Sequence, residues 1–87
     1  GQDAAEAELR KMIEDRPKAY PLRFRLAQLQ EAAGKRDEAE KTYAGIAEVD
    51  KEGAQALQGK VQIARLKILD GKTDEGSKLL DEVIKQN

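Results

Sequence analysis

Apolar side chains recur along this chain every three or four positions, in runs broken by proline, glycine or polar pairs. That spacing predicts about five amphipathic helices. The first covers residues 3–16, with Ala5, Leu9, Met12 and Ile13 on one face and Glu6, Glu8 and Arg10 around the other. Asp3 suits its N-cap or first turn, where the helix dipole favours negative charge. Pro17 stops it, because the residue before a proline is pushed out of the α region. Pro21 fits the first turn of the second helix, where a missing N–H costs nothing. Leu22, Leu26, Leu29 and Ala33 form that helix's stripe, and Gly34 ends it by taking a left-handed conformation.

The third helix, 36–49, has Asp37 and Glu38 in its first turn and buries Ala39, Tyr43, Ile46 and Ala47. Residues 50–53 form a break, with Asp50 as an N-cap or turn residue. The fourth helix, 54–69, has the widest apolar belt: Leu57, Val61, Ile63, Ala64, Leu66 and Ile68. Gly71 ends it. The fifth, 74–86, turns Gly76, Leu80, Val83 and Ile84 inward.

Two stretches are copies of each other. Residues 26–43 read LAQLQEAAGKRDEAEKTY and residues 63–80 read IARLKILDGKTDEGSKLL, with Gly34/Gly71, Lys35/Lys72, Asp37/Asp74 and Glu38/Glu75 in register. A small–large–large pattern recurs three times, as Ala5–Leu9–Met12, Ala39–Tyr43–Ile46 and Gly76–Leu80–Val83. The first two copies lie 34 residues apart and the last two 37. One helical hairpin is therefore used repeatedly. Ala27 opposite Ala39, and Ala64 opposite Gly76, are the small residues that let the two helices of a hairpin cross closely.

A helix–turn–helix unit of 34 residues is the tetratricopeptide repeat period, and the residues resemble that family. Leu26-Ala27 resembles the Leu-Gly pair of its first helix. Gly34-Lys35-Arg36-Asp37-Glu38-Ala39 resembles its turn, Tyr43 its large aromatic, and Pro17 its closing proline. There are departures: Arg23 stands where the family often has Trp, Gln30 and Lys67 replace the first-helix aromatic, and Lys51 replaces a closing proline. Three extra residues between Asp50 and Leu57 either add a turn to the fourth helix or lengthen the loop. The resemblance implies an all-α, right-handed α-solenoid of antiparallel helix hairpins. In it, 1–17 is the second helix of a partial repeat, 20–53 a full repeat and 57–87 a nearly full one. The end of the chain lacks both a closing proline and a polar capping helix, so Leu79 and Ile84 are expected to be partly uncovered.

Composition fits such a thin scaffold. Of 87 residues, 39% are hydrophobic and 38% charged, with a mean hydropathy of −0.77, enough for one buried stripe per helix but no thick core. The aromatics are Tyr20, Phe24 and Tyr43. A net charge of −1 weighs against nucleic acid, and no apolar run approaches the ~18 residues of a membrane span. With neither Cys nor His, thiolate and imidazole metal sites and the usual catalytic pairs are excluded. No cofactor and no enzymatic activity is expected. Gly34-Lys35 and Gly71-Lys72 lack the rest of a phosphate-loop signature. The compartment stays open.

By resemblance, the first helices of successive repeats line a concave groove for a peptide or partner helix. That places Phe24, Gln28 and Glu31 of one repeat, and Val61, Arg65 and Ile68 of the next, on its surface, with Arg25 beside them. The helical wheel agrees, since positions 24, 28 and 31 point largely away from the Leu22–Leu26–Leu29 stripe. An exposed Phe beside Val and Ile marks an interface; the alternative is that Phe24 packs inward and Ile68 joins the core.

Charge adds a second signal. Residues 18–33 carry three bases and one acid, and residues 51–71 four bases and two acids, while each remaining segment has more acids than bases. Either the groove receives an acidic ligand through Arg25 and Arg65, or the charges pair between neighbouring helices at little energetic consequence. The carboxylate clamp of chaperone-binding repeats is not expected, because Phe24 and Arg25 stand where its Lys-Asn pair would be. A structural role, as a solenoid segment that self-associates through open repeat ends, is the other reading.

Overall fold

A computed structural model of the chain describes residues 1–51 and 53–86; Glu52 and Asn87 lie outside the described residues. Five helices follow one another: α1 (Gln2–Asp15), α2 (Tyr20–Ala32), α3 (Arg36–Asp50), α4 (Ala54–Leu69) and α5 (Thr73–Gln86). There is no strand among the described residues, and each helix packs on the next in chain order. This is the all-α solenoid of antiparallel hairpins that the repeat pattern predicts. Its Cα extents are 36 × 27 × 13 Å, so no residue lies under more than about two helix layers.

The stops are local chemistry. Pro21 sits in the first turn of α2. Gly34 and Gly71 adopt φ values of 79° and 83°, which a residue with a Cβ disfavours. The same two backbone bonds close both turns. Lys35 N–H donates to Gln30 O (2.9 Å) and Gly34 N–H to Glu31 O (2.9 Å); Lys72 and Gly71 repeat this on Lys67 O (2.8 Å) and Ile68 O (3.0 Å). These bonds satisfy carbonyls that a helix end otherwise leaves open. Arg23, in the place of the family's Trp, donates from Nε to Pro17 O at 2.9 Å and ties α2 to the preceding connector.

The break between α3 and α4 resolves one sequence-level alternative. The fourth helix has 16 residues against 13 for α2, so the three extra residues lengthen the helix. Asp50 closes α3 instead of occupying the N-cap of α4, which is Gly53. Its carboxylate still caps α4 from there, accepting from the N–H of Gln55 (2.8 Å) and Ala56 (3.1 Å). A Cβ on Gly53 would fall 2.5 Å from that carboxylate, so glycine is what admits it.

The core lies where two hairpins meet. Ala27, Ala39, Tyr43, Ile46 and Leu66 are buried together, flanked by Tyr20, Phe24 and Ile63. Both crossings proposed from sequence are close: Ala27 and Ala39 are fully buried, and a Cβ on Gly76 would lie 2.8 Å from Ala64 O. A third close crossing is new. A Cβ on Gly59 would lie 2.9 Å from Tyr43 O, so α4 meets α3 through a bare backbone.

Several burial expectations are corrected. Met12 and Ala33, placed on buried stripes, are exposed. Ile84, turned inward by its spacing but expected to be partly uncovered at the end of the array, is 70% exposed, and Leu79 is half-buried. In α1 the buried pair is Leu9 and Glu6. Glu6 is tolerated there because Lys35 Nζ, from the turn after α2, lies 3.1 Å from its carboxylate. The polar residues in the family's aromatic places are likewise matched. Gln30, 1% exposed, accepts from the Thr42 hydroxyl at 2.6 Å. Lys67 lies 3.2 Å from Glu40 and 3.7 Å from Glu75.

Candidate partner-binding groove

The outward side chains of α2 and α4 come together as the repeat register predicts. Phe24 and Gln28 of α2 face Gln58, Val61 and Gln62 of α4 across a cleft of about 360 Å³. Val61 continues into a second hollow of about 280 Å³ with Arg65, Ile68 and Leu69, walled by Leu80 of α5. Four of the sequence-derived groove residues therefore line one of these hollows or the other alongside Val61, which lines both: Phe24 and Gln28 in the first, Arg65 and Ile68 in the second. Arg25 is exposed and lines neither, and it has no carboxylate partner among the described residues.

Phe24 is half-buried, not exposed. Its ring lies 5.9 Å from that of Tyr43 at 52°, a tilted pairing that aromatic quadrupoles favour. It is both a wall of the cleft and a flank of the core.

Glu31 and Arg65 are brought together with each other. Arg65 Nη2 lies 2.7 Å from both carboxylate oxygens of Glu31, and the Tyr43 hydroxyl donates to the same carboxylate at 2.6 Å. Arg65 Nε also donates to Gln62 Oε1 at 2.9 Å. Burial alone would raise the pKa of Glu31, but the hydrogen bonds from Arg65 and Tyr43, with the charges of Arg65 and Arg36, outweigh it and hold the carboxyl below its ordinary value. Burial, then the bond to Glu31, drives the Tyr43 phenol far above its usual range. Of the two charge readings, pairing between helices accounts for Arg65. A second pair with the same 34-residue separation, Arg36 to Asp70 at 2.6 Å, links the turns of the two hairpins.

Sequence reasoning missed a further cleft, about 510 Å³, between α1, α2 and α3. Its floor is Leu26 and Gln30, and its rim includes Arg10, Arg23 and Lys41. Only the spacing of α1 from α3 creates it, and no periodicity reports that spacing. Asp37, Glu40 and Asp70 place carboxylate oxygens within 4.8 Å of one another, where Arg36 and Lys67 offset two of those charges.

Comparison with known families agrees with the repeat fold. A family model described as tetratricopeptide repeat matches residues 3–61, well over half of the chain. The chain belongs to the tetratricopeptide repeat family. The match spans α1 to the first half of α4; α5 lies beyond it and joins the pattern through the Gly71 turn and the Gly76–Ala64 crossing. No curated protein and no solved structure matches the chain. Tetratricopeptide repeats are generally protein–protein interaction modules and typically non-catalytic.

Proposed function

We propose that this tetratricopeptide segment binds an extended peptide or a partner helix along the inner faces of α2 and α4. The observation that carries the reading is the cleft of Phe24, Gln28, Gln58, Val61 and Gln62, which offers two apolar walls and three neutral amides. Glutamine amides both donate and accept, so they suit the N–H and C=O groups of a ligand backbone. The apolar walls suit one uncharged anchor side chain. With Arg65 engaged by Glu31, Arg25 is the cation left at the edge for an acidic residue on the ligand.

The test is a random peptide library selected on the chain. Selected peptides are expected to bind the Gln28→Glu/Val61→Asp variant at least about tenfold more weakly. Peptides that bind both forms equally well would remove the groove from consideration. Self-association through repeat ends is a second reading, supported by the exposed Ile68, Leu69 and Ile84.

A further inference from the structure

The cleft of about 510 Å³ between α1 and α3 lies on the other side of α2 from the groove. At helical spacing its floor residues, Leu26 and Gln30, point away from Phe24 and Gln28. Arg23 and Gln30, which stand where the family carries aromatic rings, both line it. Polar groups therefore border this space in place of rings. The second hairpin closes the equivalent gap. There Lys67, the counterpart of Gln30 at 37 residues' distance, is pinned between Glu40 of α3 (3.2 Å) and Glu75 of α5 (3.7 Å).

Gln30 is 1% exposed. Its Oε1 accepts from the Thr42 hydroxyl at 2.6 Å, and among the described residues no group accepts from its amide N–H bonds. Among those residues no side-chain nitrogen or oxygen is sealed off without a partner, so the free N–H bonds open on the cleft that Gln30 lines. A buried donor left in this state calls for an acceptor.

The charges around the cleft say which kind. Helices α1 and α3 run parallel, since each is antiparallel to α2. The 34-residue repeat sets Glu38 level with Ala4 and Lys41 level with Ala7. Along the cleft the order is then Glu38, Lys41, Arg10 and Glu14, a rise of about 15 Å. Lys41 and Arg10 face its middle from opposite walls, and the two acids stand at its ends. Arg23 belongs to the start of α2, beside the end of α1, and offsets Glu14 there. Among the described residues Lys41, Glu14 and Glu38 form no ion pair, and Arg10 has only the 4.0 Å contact with Glu6. The middle of the cleft is thus positive and its Glu38 end negative.

We infer that this cleft binds an extended partner segment that sets an Asp or Glu carboxylate between Arg10 and Lys41, on the Gln30 amide, with a basic residue two positions away beside Glu38. Residues two apart on an extended chain share a face, about 7 Å from each other. A helix 15 Å long would take up roughly 1,200 Å³, more than twice the cleft, so the segment is not helical. A free carboxylate would leave Glu38 unanswered. The inference goes beyond the groove reading and does not rest on it, because α2 serves the two sites with opposite faces.

The probe is the peptide acetyl-Lys-Ala-Glu-Ala-Lys-amide, which offers the basic residue in either chain direction. It is titrated into the ¹⁵N-labelled 87-residue chain and followed by heteronuclear NMR. The expected result is saturable shifts of the Gln30 side-chain amide and of the Arg10 and Lys41 backbone amides, with a Kd of about 1 mM or tighter. Affinity falls about fivefold or more with Lys41→Glu, with Gln30→Leu and with Gln in place of the peptide's Glu. It is unchanged by Gln28→Glu/Val61→Asp, which disables only the groove. The same spectra report that each variant is folded; in Gln30→Leu, Thr42 keeps its bond to Glu38 O. No saturable shift up to about 10 mM peptide overturns the inference. So do shifts indifferent to Lys41→Glu, which mark unspecific charge attraction. So does equal affinity for glutarate, which would make this a site for small carboxylates.

Discussion

At the residue scale, the Glu31–Tyr43–Arg65 cluster joins the two hairpins through one carboxylate. Its members come from α2, α3 and α4, so losing it loosens three helices at once. The folded-state pKa of Glu31 is depressed below its ordinary 4.5. Its contribution to stability is therefore complete above about pH 4.5 and is lost as pH falls through the lower folded value. Glu31→Gln is expected to be less stable than the wild type at pH 7, with the gap narrowing as pH drops to 3. Urea unfolding at the two pH values measures this, and a gap of equal size at both would exclude the ionised pair as its source. Glu31 and Arg65 were visible in the sequence as groove candidates, and Tyr43 as a buried aromatic. Their mutual engagement was not, because Glu31 and Arg65 lie 34 positions apart and periodicity says nothing about which of two outward side chains meets the other.

At the scale of elements, the helices owe their ends to prolines, glycines and caps, and their spacing to small residues. The glycines within helices do different jobs. A Cβ on Gly45 in α3 meets nothing within 4 Å, whereas one on Gly59 in α4 would lie 2.9 Å from the carbonyl of Tyr43. Gly45→Ala is therefore expected to stabilise the chain by about 0.5–1 kcal/mol through helix propensity. Gly59→Ala gains the same propensity but forces α4 off α3, for a net loss of about 1–2 kcal/mol. Thermal unfolding of the two variants separates these outcomes, and a stabilised Gly59→Ala would mean the α3–α4 contact is looser than described. Sequence spacing identified Ala27, Ala39, Ala64 and Gly76 as crossing residues because each recurs in the repeat. It passed over Gly59, whose counterpart 37 residues earlier is Leu22.

At the scale of the whole molecule, packing is densest between helices adjacent in the chain, so stability is expected to fall toward the ends. The buried cluster draws on α2, α3 and α4, while α1 contributes Leu9 and α5 contributes Val83 near the margin of burial. Native-state hydrogen exchange should find the amides of α1 and α5 exchanging well before those of α3. Equal protection throughout would mean that the five helices unfold as one unit. The number of helices, their stops, the hairpin repeat and the small residues of the hairpin crossings were determined by the sequence alone, because proline, glycine and apolar spacing act within a few residues of where they stand. Tertiary structure alone decided that Phe24 leans on Tyr43, that Glu6 is buried under Lys35, and that Arg65 is held within the protein. Each of these depends on which distant side chain a position meets, and burial and charge pairing are settled only when the hairpins stack.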